Sequence, residues 1–222
     1  MEVFYNRKDI EKQLTKAFRE RYKRKDAALT GILLARPEDK VAKDLILPHL
    51  EYWHYRSDYY TEFFCAGYAP VASVRTARPV GVTIRGKRWG FSLPAFIEIV
   101  EALEREAKWK YEGDSCLLLL SSYFDGTTAR LDFRRCLRLN FNEALKDKAI
   151  QSPTQVADAT FEIAKRINEG RTDPVWELSN KLGRKVIKAG VKDALLMLLP
   201  KWLGKPTRKA MHFAVHQLDA AA

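Results

Sequence analysis

Residues Ser115–Phe124 read Ser-Cys-Leu-Leu-Leu-Leu-Ser-Ser-Tyr-Phe. A strand with one wet face alternates apolar and polar side chains, whereas a strand buried on both faces carries a continuous apolar run. Leu117 to Leu120 form such a run. It predicts a strand in the middle of a sheet with helices packed against both sides. With 222 residues, the chain is long enough for one sizeable core or for a core and an appendage.

The neighbouring stretches are read around that strand. Ala27–Ala35 is a second buried strand, and Tyr60–Tyr68, centred on Phe63, Phe64 and Cys65, is a third. Val80, Val82 and Ile84 alternate ahead of Gly86-Lys87, which predicts a two-residue hairpin turn, and Trp89 and Phe91 lie on the return strand. From Ala129 to Phe141 the apolar residues Leu131, Phe133, Leu137, Leu139 and Phe141 take odd positions. Asp132, Arg134, Arg138 and Asn140 take even ones, so this strand is expected to keep one wet face near the sheet edge.

Helical signals fill the rest. Arg7–Arg24 is amphipathic, with Ile10, Leu14, Ala17 and Phe18 on its apolar side. Glu38–Arg56 begins with Pro37 in its first turn and should kink or split at Pro48. Ser92 caps a helix with Pro94 in its first turn. Ser152-Pro153-Thr154-Gln155 has the form of a capping box whose helix runs to Gly170, and Asp173-Pro174 opens another. A last helix would carry His212 and His216. The fold class that follows is α/β, a mixed β-sheet flanked by helices in a βαββαβ-like or thioredoxin-like order, with a C-terminal helical extension. The expected units are a basic amphipathic helix over residues 1–25, an α/β core over 26–141 and the helical extension over 142–222.

The formal net charge of +11 is unevenly placed. Residues 1–25 carry nine Lys/Arg against four Asp/Glu, and residues 181–222 carry nine against two, whereas residues 26–180 sum to −1. The whole excess therefore sits in two terminal segments around a neutral middle. In the first, Lys8, Lys12, Lys16, Arg19 and Lys23 fall on one helical stripe; in the second, Lys181, Arg184, Lys185, Lys188 and Lys192 do the same. A third basic group, Arg85, Lys87 and Arg88, surrounds the hairpin tip beside Trp89. Stripes of this kind suit the phosphates of DNA or RNA.

Chemistry-bearing patterns are scarce. Gly86, Gly90 and Gly126 are scattered and none opens a helix, so there is no phosphate-binding glycine loop and no case for a small-molecule cofactor. No serine sits in a nucleophile elbow. Cys65, Cys116 and Cys136 lie in apolar, strand-like stretches, which predicts three buried thiols in a reducing cytoplasm. His212 and His216 share a helix face by spacing, but no adjacent glutamate completes a metalloprotease pattern, and no metal site is assigned. His49 and His54 lie among aromatic residues, with Tyr52, Trp53 and Tyr55 between and beside them.

The expected function is a non-catalytic binding subunit that contacts a polyanion, DNA or RNA phosphates, without regard to sequence, within a larger assembly. One alternative is a metal-dependent nuclease built on Asp125, Asp132 and Glu62, since such enzymes hold a divalent cation on carboxylates at strand ends. The other is an assembly protein docking on an acidic protein partner. Insertion into a membrane is disfavoured, because no run approaches the ~18 apolar residues of a span.

Overall fold

In the computed structural model, the described residues are 7–22, 27–57, 60–107, 109–148, 150–169 and 215–218. In chain order the elements are α1 (Arg7–Glu20), β1 (Ala27–Leu34), α2 (Leu50–Ser57), β2 (Thr61–Cys65), β3 (Tyr68–Pro70), β4 (Arg78–Ile84) and β5 (Lys87–Phe91). They continue with α3 (Leu93–Glu106), β6 (Cys116–Phe124), β7 (Ala129–Asn140), α4 (Phe141–Lys146), α5 (Pro153–Glu169) and β8 (Val215–Leu218). The protein is a mixed α/β fold with a five-stranded sheet ordered β2-β1-β6-β7-β8 and a three-stranded sheet ordered β3-β5-β4.

The leucine strand β6 occupies the centre of the larger sheet. It pairs antiparallel with β1, Leu118 opposite Ile32 and Leu120 opposite Thr30, and antiparallel with β7 on its other side. Leu117 to Leu120 are all buried. β1 and β2 are parallel, joined by the crossover through α2, as parallel pairing requires. The parallel pair β2-β1 is followed by the antiparallel hairpin β6-β7, and β8 adds a fifth strand at the edge.

Successive strand side chains point to opposite faces, and β2 shows which helices cover which face. Glu62 bonds to Tyr22 at the end of α1, while Phe63 packs edge-on against Trp53 of α2 and Phe161 of α5. The two sides are therefore an α1 face and an α2–α5 face. Ile10, Leu14, Ala17 and Phe18 of α1 are at most 1% exposed, and they join the same core as Val156, Ala157 and Phe161 of α5. Gly31 in β1 lies under the Phe63 ring, where a Cβ would come 2.8 Å from Cδ2.

Several expectations need correction. The helix expected over Glu38–Arg56 is a π-helical turn (Ala42–Ile46), a 3-10 turn (Leu47–His49) and then α2. Pro48 lacks an N–H and its ring crowds the carbonyl four residues back, so a regular α-helix cannot run through it. The strand expected over Tyr60–Tyr68 ends at Cys65, and Tyr68 belongs to β3 in the smaller sheet. The hairpin turn is Arg85-Gly86, not Gly86-Lys87, because Ile84 pairs with Lys87. Both turn residues have positive φ, 50° and 71°, the left-handed geometry that matches strand twist in a two-residue loop.

Among the described even-numbered side chains of β7, Arg130 at its start is exposed and the rest are buried, so the expected wet face does not run along the strand. Its register with β6 shifts between Leu119 and Ser121, and Asp132, Arg138 and Asn140 are all buried. Arg138 reaches Glu112 and lies over the Trp109 ring, and Asn140 caps α4 by accepting from the Glu143 N–H at 3.1 Å. Residues 215–218 are the strand β8, so His216 is not on the helix expected for it. Cys65, Cys116 and Cys136 are free and buried, as their apolar surroundings predict. No described helix is long and apolar enough to cross a membrane.

Candidate nucleic-acid interface

The amphipathic pattern of α1 decides where its charge goes. Its apolar stripe is buried against the sheet, so Lys8, Lys12, Lys16 and Arg19 are left exposed on the outer side. There they form one wall of a surface groove of about 820 Å³. The other wall is the β6–β7 turn with the start of β7: Thr127, Thr128, Ala129 and Arg130. Glu11 and Glu20 also line the groove, so five cations face two carboxylates.

Two hydrogen bonds hold the walls in register. The Arg19 guanidinium donates from Nη2 to the Thr127 carbonyl at 2.8 Å, and the Ala129 N–H donates to Thr15 Oγ1 at 2.8 Å. Thr15 in turn donates to the Glu11 carbonyl one turn earlier, at 2.7 Å. The turn itself is built by Asp125. Its Oδ1 accepts from the Thr127 hydroxyl and from the N–H groups of Thr127 and Thr128, and its Oδ2 accepts from the Thr128 hydroxyl. The Thr127 hydroxyl, with the two backbone N–H groups behind it, holds the Asp125 carboxyl well below the usual carboxylate range. Asp125 is thereby a turn-forming anion.

The carboxylates considered for a nuclease are placed separately. Asp125 is in the exposed turn, Asp132 is buried opposite Ser121, and Glu62 is buried between Arg21 (2.6 Å) and Tyr22 (3.2 Å) on β2. Among the described residues no cluster of three or more His, Cys, Asp or Glu side chains is arranged to hold a metal ion. His49 is exposed, and His54 is buried with its ring tilted against Tyr55. A second polar cluster, at the opposite end of β6, closes on itself: Ser115 donates to Asp39, Asn142 Nδ2 donates to Asp39 at 3.2 Å, and the Ser115 N–H donates to Asn142 at 3.1 Å. These bonds tie together the chain segments that carry Asp39, Ser115 and Asn142.

The basic groups are not all on one surface. Arg85, Lys87 and Arg88 are exposed at the β4–β5 tip, which is anchored to α2 by the Arg85 N–H donating to Glu51 at 3.3 Å. α2 covers the sheet face opposite α1. Trp89 is 5% exposed and packs inward, so the tip presents cations without its aromatic ring. Lys23, Lys181, Arg184, Lys185, Lys188, Lys192 and His212 lie outside the described residues. The groove adds Arg130 and the two threonines to the residues legible from spacing. Asp125-Gly126 marks a turn in the sequence, but nothing local says that this turn meets α1. Compared with protein families, curated proteins and solved structures, the chain matches none of them.

Proposed function

We propose that the groove between α1 and the β6–β7 turn binds the phosphates of DNA or RNA without regard to sequence, and that the protein serves as a non-catalytic subunit of a larger assembly. The observation that carries this reading is the convergence of five cations, Lys8, Lys12, Lys16, Arg19 and Arg130, on one open groove. Lysine and arginine that meet phosphate oxygens position a nucleic acid but do not read its bases. None of these cations is required by the core, since the buried side of α1 is entirely apolar or aromatic.

Each phosphate neutralised on B-DNA contributes about 0.9 to the log–log salt slope, so five contacts give a slope of about −4.5. Fluorescence anisotropy with labelled nucleic acid, read across a salt series, measures it. Replacing Lys8, Lys12 and Lys16 by glutamine should leave folding intact and flatten the slope by about 2.7. Failure of the wild-type chain to bind at ~50 mM salt, where phosphate contacts are strongest, would exclude the proposal, as would equal binding by the triple variant. An acidic protein partner would then be the occupant to seek.

A further inference from the structure

We propose that the β4–β5 tip and Tyr55 of α2 together form a second nucleic-acid site, separate from the α1 groove, and that this site takes single-stranded DNA or RNA. The sum over the neutral middle of the chain hides a local excess: residues 63–97 contain Arg75, Arg78, Arg85, Lys87 and Arg88 and neither aspartate nor glutamate. Three of these cations, Arg85, Lys87 and Arg88, are exposed at the tip, while Val82, Ile84 and Trp89 are buried. The hairpin's own tryptophan is turned inward, and the ring at this surface comes from α2.

Glu51 and Tyr55 stand one turn apart on one face of α2, and residues so spaced have Cβ atoms about 5–6 Å apart. Glu51 accepts from the Arg85 N–H at 3.3 Å, so the helix face that meets the tip carries Tyr55 beside it. Glu51 also offsets one of the three positive charges. Tyr55 is 56% exposed, and its ring lies against that of buried His54, with centroids 5.6 Å apart. Tyr52, the other large exposed ring of α2, is tethered to α5 by its hydrogen bond to Asp158. An exposed ring beside several cations is the pairing by which proteins hold single strands: the cations follow the phosphates, and an unstacked base lies on the ring. A duplex keeps its bases stacked on one another, so it would use the cations and gain nothing from Tyr55.

The probe is a labelled oligothymidylate of ~12 nucleotides, within the ~4–16 that such sites cover, read by fluorescence anisotropy across a salt series against the full chain. The Lys8/Lys12/Lys16→Gln variant serves as background, so that losses at the groove and at the tip are read apart. In that background Tyr55→Ala should weaken binding about 5- to 150-fold, the effect of one stacked base. The factor should be the same at every salt concentration, because no charge is removed. Tyr55→Phe, which keeps the ring, should bind like its parent. Replacing Lys87 and Arg88 by glutamine should instead flatten the log–log slope by about 1.4, two single-strand contacts at about 0.7 each. Wild-type binding that vanishes in the background variant overturns the second site and leaves the α1 groove standing; no binding by either overturns both. Equal binding by Tyr55→Ala and its parent, or a slope unmoved by the Lys87 and Arg88 replacements, also overturns the second site. So does binding of a polyglutamate peptide in place of oligothymidylate, which would assign the surface to an acidic protein.

Discussion

Thr15 joins the fold to the groove, and Thr15→Val tests that joint with almost no change of shape. Valine keeps the branched volume and has a helix propensity close to that of threonine, so the loss of the hydroxyl is the perturbation. Two hydrogen bonds disappear. The bond to the Glu11 carbonyl matters little, because a helical threonine bonding back to residue i−4 brings slight destabilisation at best. The other matters more: the Ala129 N–H would lose its acceptor, and Ala129 is 1% exposed. A buried donor left unmade costs about 1–3 kcal/mol. For a chain of this size each kcal/mol shifts Tm by about 2–4 °C, so Thr15→Val should melt roughly 2–12 °C lower. Thr15→Ser restores the acceptor and should recover most of the loss. Circular dichroism melts supply the Tm, and hydrogen exchange at the Ala129 amide reports the bond itself. No cation is touched, so the salt slope of nucleic-acid binding should persist while the protein is folded. A valine variant that melts with the wild type and keeps Ala129 slow to exchange would refute the role assigned to Thr15.

Two further predictions concern the sheet. Leu118, 1% exposed in the central strand, should cost about 2–5 kcal/mol when cut to alanine, while Leu118→Asp should abolish soluble folding, because an unpaired charge there competes with a total stability of only about 5–15 kcal/mol; a cooperatively melting aspartate variant would show that the strand is not buried on both faces. Glu62 has its carboxyl pKa raised, because burial outweighs the Arg21 ion pair and the Tyr22 hydrogen bond. The folded protein thus holds that proton more tightly than the unfolded chain, and the associated stability is present below the ordinary carboxyl pKa and lost as pH rises through the raised one. Urea melts across that range should show Glu62→Gln gaining on the wild type as pH rises; a wild type that gains instead would mean that Arg21 and Tyr22 outweigh burial.

What was legible in the sequence is what short-range pattern controls. The leucine run identified β6 as the central strand because burial on both faces leaves no place for polar residues in it. The stripe of α1 was legible because its period is local, and Pro48 broke its helix for a reason that lies within one turn of chain. The misreadings share the opposite character. The sequence places the turn one residue away from Arg85-Gly86 because glycine at the first central position and glycine at the second both make allowed hairpins, and cross-strand pairing chooses between them. Alternation assigns the polar residues of β7 to water, yet Arg138 is covered by Trp109 and Glu112, and Asn140 bonds to Asp114 and caps α4. Alternation reports that a face is polar, not what faces it.

The groove shows the same limit at the level of function. Four of its cations follow from the helical period of α1, but a charged stripe alone is a solvated surface. The groove exists because the β6–β7 turn is brought against that stripe by bonds spanning 108 positions from Arg19 to Thr127 and 114 from Thr15 to Ala129. The same tertiary placement separates the hairpin-tip cations, which are local neighbours of an aromatic residue in the sequence and stand on the far side of the sheet from α1 in the fold. A composite surface of α1 and the tip would have joined charge to an exposed ring. The fold instead turns Trp89 inward, so the hairpin tip and the α1 groove are two separate basic surfaces, and charge reversal at one should leave binding at the other unchanged.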